Sequence, residues 1–311
     1  MAAVTTKIIE YKNYGKCVEI SNGTLKALVT VDVGPRVINY SFIDGENIMF
    51  EDVERAFSES GPNFDAAYGE GSTWYIYGGH RLWTSPEGMP KSYYPDNDPV
   101  PYELIENGAI FRPAVQKWNQ YGYEIKITMC PECGQLNLVH NITNYAAWDV
   151  TLAPWCLTVL SPGGYEYVSQ PRKDTGLLGN RLLALWPYTK MNDERVTWGH
   201  KYVGLRQIPG YDEKFKLGIN SENGVALYFN HGDLFIKKYE PVENGAYPDG
   251  GMSFETFTNA LFLEMETLGE IKAIAPGATV SHAESWLLVK EECPAEYDEE
   301  AIDALVEKYV K

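Results

Sequence analysis

An all-β fold, antiparallel and undivided over residues 1–311, is what the sequence predicts, and three observations predict it. Polar and apolar residues alternate with period two from one end of the chain to the other. Aromatic residues are abundant, at 13% with 22 Tyr and 8 Trp. Nothing reads as alternating strand and helix. Period two marks a half-buried strand, whose successive side chains point to opposite faces, and rings pack well on a pleated surface. A parallel doubly wound sheet would need β–α–β units instead. With 311 residues, 44% of them apolar, the chain can bury a sizeable core, and all-β units of this length fold as one domain.

The elements follow in order. Alternating runs at Thr24–Val31 and Val37–Phe42 flank a Gly34-Pro-Arg36 turn. A long stretch, Phe57–Val100, is poor in periodicity and too aromatic for a flexible linker. A loop of that length in a compact domain is usually functional, so it is expected to fold over a sheet face and wall a cleft. Tyr123, Ile125, Ile127 and Met129 then alternate with Glu124, Lys126 and Thr128. After the Pro131–Gly134 turn come Leu136, Leu138, His140 and Ile142, which completes a hairpin. Further strands are expected at Val150–Val159, Val225–Asn230, Leu234–Tyr239, Ser253–Glu266 and Thr279–Val289, with a second irregular stretch at Ser161–Gly210. Ala301, Ile302, Leu305, Val306 and Tyr309 keep helical spacing behind Asp298, Glu299 and Glu300. Carboxylates at that end suit the helix dipole, so a short C-terminal helix is expected to dock on the sheet.

Composition narrows the function. A formal charge of −17 repels phosphate backbones and anionic membranes, which argues against both as partners. No apolar leader is visible at the start and no run approaches the roughly 20 apolar residues of a membrane span. Five scattered cysteines suggest reduced thiols in a cytoplasm. Cys130 and Cys133 alone have ligand spacing, half of what a structural zinc site needs. No cofactor or metal is expected, and only a loosely held cation among Asp96, Asp249, Glu255 and Glu264 stays open.

Three segments carry candidate chemistry. Gly34-Pro-Arg36 presents an arginine suited to bidentate contact with hydroxyls or a carboxylate. Gly78-Gly-His-Arg-Leu-Trp-Thr-Ser-Pro-Glu87 gathers an acid/base (His80), a cation (Arg81), a stacking face (Trp83) and a carboxylate (Glu87) behind two glycines. Tyr93-Tyr94-Pro95-Asp96 adds rings and an acid. Tyr247-Pro-Asp249-Gly-Gly251 leads into a strand with Glu255, and Glu264 and Glu266 share one strand face, where two carboxylates raise each other's pKa. Lys237 and Lys238 must face opposite ways on their strand. Each feature also has a plain structural reading: a turn arginine, a core histidine, an exposed acidic strand.

These segments resemble the galactose mutarotase-like (aldose 1-epimerase) superfamily, nearest a DUF4380-type branch. "ISNGTLKALVTVDVGPRVINYSF" is similar to its first hairpin, "GGHRLWTSPEG" to a glycine-pair segment, and "FLEMETLGEIKAIAPGATVSHAESWLL" to its closing strands. The resemblance implies a β-supersandwich and an isomerase-type activity in which Glu266 takes the proton of the anomeric hydroxyl. It also implies a histidine proton donor at a position that here reads Trp155. The resulting expectation is a protein binding a mono- or oligosaccharide or sugar derivative in an open cleft. Glu266 is the base and His80 the acid, with Arg36, Arg81, Trp83, Glu87, Tyr94, Asp96, Trp155, Lys237, Asp249, Glu255 and Glu264 around the ligand. A non-catalytic sugar-binding protein and a hydrolase or lyase on the same fold are the alternatives.

Overall fold

A computed structural model describes residues 3–310. Among these residues two large antiparallel sheets form, of eleven and ten strands, with a two-stranded ribbon beside them. The centre of the first sheet runs His80–Ser85, Val150–Leu160, Leu263–Leu268, Phe254–Thr258 and Phe215–Ile219, side by side in that order. The second is centred on Val225–Asn230, Asp233–Tyr239, Thr279–Lys290, Leu136–Asn144 and Tyr121–Met129. The expected hairpin is present, with Ile125 opposite His140 and Met129 opposite Leu136.

Alternation decides what each face meets. Leu82, Cys156, Leu160, Leu263, Met265, Phe215 and Leu217 point from the first sheet into a shared core. There they meet Leu136, Leu138, Tyr228, Phe235, Trp286 and Leu288 from the second. Each large side chain carried out of water into this layer contributes on the order of 1.5–3 kcal/mol. The opposite face of the first sheet carries Trp83, Trp155, Leu157 and Val159, which pack with Trp74 and Phe262 into a second cluster.

The helix Glu299–Tyr309 closes the chain, and the Asp298 side chain caps it by accepting from the amides of Glu300 and Ala301. Its Ile302, Leu305, Val306 and Tyr309 seat against Tyr165, Tyr167, Tyr202 and Leu227 on the outer face of the second sheet. One expected element divides. Ser253–Glu266 is two strands, because Asn259 Oδ1 accepts from the amides of Leu261 and Phe262 and turns the chain between them. The two strands then pair, which sets Glu255 directly opposite Glu266.

Candidate functional site

The outer face of the first sheet bears a cleft of about 250 Å³. Its floor is built from four strands. Arg81 and Trp83 rise from one, Trp155 and Leu157 from the next, Glu264 and Glu266 from the third, and Lys216 from the edge side. Its walls come from the two stretches expected to be irregular, Trp74, Glu87 and Tyr93 on one side and Trp186 and Tyr188 on the other. That expectation is corrected in part, since Phe57–Val100 also holds the central strand His80–Ser85 and Ser161–Gly210 the strands Tyr165–Ser169 and Tyr202–Arg206. Gly78 and Gly79 make this possible by a route the sequence did not indicate. Both have positive φ, and a Cβ would lie 2.1 Å from the Phe50 carbonyl and 2.2 Å from the Val37 carbonyl. The close approach is to the protein's own backbone, not to a ligand.

Charges in the cleft are paired, but incompletely. Lys216 Nζ bridges Glu255 at 2.7 Å and Glu266 at 2.9 Å, and its ammonium sits over the rings of Trp155 and Trp186. Trp155 Nε1 donates to the same Glu266 Oε2 at 2.8 Å. Thus the residue standing where the resemblance implies a histidine donates a hydrogen bond to the Glu266 carboxyl group. Arg81 donates to Glu264 Oε1 at 3.0 Å and lies over Trp83. Burial opposes the Lys216 charge, but Glu266 and Glu255 outweigh it and raise its pKa. Burial raises the Glu255 carboxyl well above the carboxylate range despite Lys216. Burial raises Glu264 too, with Arg81 opposing. Glu266 Oε1, Arg81 Nε, Trp74 Nε1 and Glu255 Oε1 are buried and have no hydrogen-bond partner among the described residues.

Several expected site residues lie elsewhere. His80 alternates away from Arg81 and points into the core between the sheets, fully buried. The His282 carbonyl can only accept, so His140 Nδ1 carries a proton toward it at 3.1 Å. Burial lowers the His140 pKa, so the ring is neutral and its Nε2 is bare. His80 Nε2, at 2.8 Å, must therefore donate to it. His80 Nδ1 then accepts from Thr158, whose oxygen accepts from Lys237. Burial first, then His140 and Lys237, push the His80 pKa well down. Every proton is committed, and the cleft lies on the other side of the sheet. The expected acid role for His80 is corrected on that ground.

Lys237 is corrected likewise: it pairs with Glu284 at 2.9 Å inside the core, with both side chains fully buried. Arg36 is buried and forks onto both oxygens of Asp96 at 2.5 and 3.0 Å, which pins the loop to the Gly34-Pro35 turn. Tyr94 packs edge-on against Tyr68 beside that pair, outside the cleft lining. Asp249 sits on an exposed turn and reaches the site only through its charge on Glu255. Glu87 is at the cleft mouth, where the Tyr93 hydroxyl donates to it.

The structure does not assemble a cation site from Asp96, Asp249, Glu255 and Glu264, because three of them are taken by Arg36, Lys216 and Arg81. His80, His140 and Cys156 offer close ligand atoms in the core, as do Cys156, His282 and Glu284. The Lys237 ammonium stands beside both groups and the imidazoles already bond each other, so a cation would displace a satisfied network. The sequence reading missed Lys216, Trp186 and Tyr188. Lys216 had a signal, the alternation of Lys214, Lys216 and Gly218 against Phe215, Leu217 and Ile219. The other two, in an irregular stretch, had none.

No family model matches the chain, and no curated protein matches it in sequence. Solved structures do match. A Klebsiella pneumoniae protein provisionally assigned as an aldose 1-epimerase superposes with a TM-score of 0.61 at 13% identity, over 98% of this chain and 86% of its own. A galactose mutarotase-like protein from Lactobacillus casei gives 0.55 at 11%, over 88% and 100%. A TPR-domain-containing protein from Parabacteroides distasonis gives 0.61 at 11%, over 91% of this chain, which spans only 50% of that protein's length. Identities this low speak to architecture alone, and with the sheet order they establish that the chain has the galactose mutarotase-like fold.

Proposed function

We propose that the protein binds one sugar ring in the aromatic cleft and interconverts its anomers by acid–base chemistry, with Glu266 as the base. One observation carries this reading. Glu266, whose side chain lines the cleft, has one oxygen fixed by Trp155 and Lys216, while the other is buried with no partner among the described residues. A carboxylate so held is a proton acceptor waiting for a hydroxyl. The unpartnered donors Arg81 Nε and Trp74 Nε1 suit further hydroxyl oxygens, and the half-buried Trp186 and the exposed Tyr188 on the cleft wall offer rings to a pyranose. The volume, just below the ~300 Å³ lower end of ordinary small-molecule sites, fits a monosaccharide better than a chain. The five free thiols fit a cytoplasmic setting. The placement nearest a DUF4380-type branch rests on the quoted segments alone.

NMR exchange between α and β anomers, over a panel of free sugars, tests the reading. Wild type should accelerate exchange for at least one sugar, and Glu266→Gln should lower that rate by about 10²–10⁴-fold, the usual worth of a positioned base. A wild type inert toward every sugar would sink it. The pre-paired charges Arg81–Glu264 and Lys216–Glu255 favour a second reading, a non-catalytic binding protein. Calorimetric sugar binding without any exchange would select it.

A further inference from the structure

We infer that Glu264 is the proton donor of the cleft, delivering its proton to the ring oxygen while Glu266 takes that of the anomeric hydroxyl. This rests on the anomer-exchange reading above and supplies the acid that reading lacks. The two carboxyls stand two residues apart on one strand, on the same face, and both line the cleft. A rise of about 3.3 Å per residue sets their roots roughly 7 Å apart, so they can approach one sugar ring from two directions. Arg81 fixes Glu264 Oε1, and no partner among the described residues holds the other oxygen. Burial favours the protonated form of this carboxyl, with Arg81 only partly opposing.

The other cleft groups are worse donors. Lys216 is locked between two buried carboxyl groups, and losing its proton would strip Glu266 of its cation. Burial raises the Tyr93 and Tyr188 phenols, so neither releases a proton readily. His80 faces the core. The step balances without a co-reactant. Glu266 removes the O1 proton, C1=O1 forms as C1–O5 breaks, and O5 takes the Glu264 proton. After rotation about C1–C2 the reverse step closes the ring on either face and returns both protons.

The experiment uses whichever sugar wild type accelerates. Glu264→Gln keeps the acceptor for Arg81 but cannot donate an acidic proton. Its exchange rate should fall about 100-fold or more, with calorimetric affinity within about threefold of wild type. Wild-type kcat/KM should decline at high pH as Glu264 ionises, and the variant should lack that decline. Should the Gln variant unfold, Glu264→Asp retracts the carboxyl and should lose about tenfold in rate with the high-pH decline retained. A folded Glu264→Gln with the wild-type rate or an unchanged pH profile, or a folded Glu264→Asp with the wild-type rate, overturns this inference alone. A wild type inert toward all sugars overturns the parent reading and this inference with it.

Discussion

The strands His80–Ser85, Val150–Leu160 and Leu263–Leu268 carry two polar clusters back to back, and the two are finished to different degrees. On the core side, Lys237, Thr158, His80 and His140 form a chain in which each donor has an acceptor. Glu284 accepts from Lys237, Thr267 and Trp286, and His282 donates to Thr267. On the cleft side, Glu266, Glu255, Arg81 and Trp74 each leave a buried polar atom unpaired. A buried unpaired group costs about 1–3 kcal/mol. Glu166 and Arg195 also leave single atoms unpaired elsewhere, but among the described residues only at the cleft do several such atoms gather where a ligand could complete their bonding. Adjacent residues such as His80 and Arg81 therefore differ in role, although both look like chemistry in the sequence.

The largest test of this contrast is Lys237→Met. It leaves the fully buried Glu284 carboxylate without its cation, and breaking a buried pair from one side costs roughly 3–5 kcal/mol. Denaturant unfolding should show a loss of that size. The double variant Lys237→Met, Glu284→Gln should recover most of it, because neither charge then remains. Sugar affinity of the folded fraction should stay at the wild-type value. A large change in affinity with stability intact would reverse the assignment of the two faces.

The fold was legible because alternation and hairpin turns are local properties, and so was the facing of Glu264 and Glu266. What alternation cannot give is which of two polar faces meets the partner sheet. His80 reads as an active-site acid beside Arg81 and Trp83, and only the arrival of His140 and Lys237 from the second sheet shows that it faces inward. Arg36 reads as a free cation because Asp96, sixty residues on, is matched to it by the course of an irregular loop. Lys216 was passed over because its partners, Glu255 and Glu266, lie on strands that become neighbours only in the folded sheet. Pairing across large sequence separation is what the sequence hides.

A middle-sized effect probes the unfinished face. Trp74→Phe removes a buried indole N–H that has no acceptor among the described residues, which relieves part of the unpaired-donor cost. It also removes packing volume, and that loss is of similar size. Stability should therefore stay within about 1 kcal/mol of wild type, while calorimetric sugar affinity drops about tenfold, the worth of one net hydrogen bond. Unchanged affinity would take Trp74 out of the ligand shell and leave it a wall residue.

The effect smallest at any one pH, spread over several units, separates the faces. Burial pushes His282 down to about 4 and lowers His80 and His140 as well. An unfolded histidine near 6.5 binds a proton that the folded core refuses, so this contribution is complete above about pH 6.5 and drains as pH falls toward 4. His282 adds a slope on the order of 1 kcal/mol per pH unit in that window, and His80 and His140 act in the same direction. The cleft works in the opposite sense. Glu255 and Glu264 have folded pKa values raised by burial, so their contribution is present below the unfolded value near 4.3 and is lost as pH rises through the folded values. Unfolding free energies measured from pH 4 to 8 should rise more gently in His282→Gln than in wild type. Glu264→Gln should leave the acidic slope intact and flatten any decline on the alkaline side. If His282→Gln left the acidic slope unchanged, the core imidazoles would have to take up protons in the folded state, and the core network would not be closed.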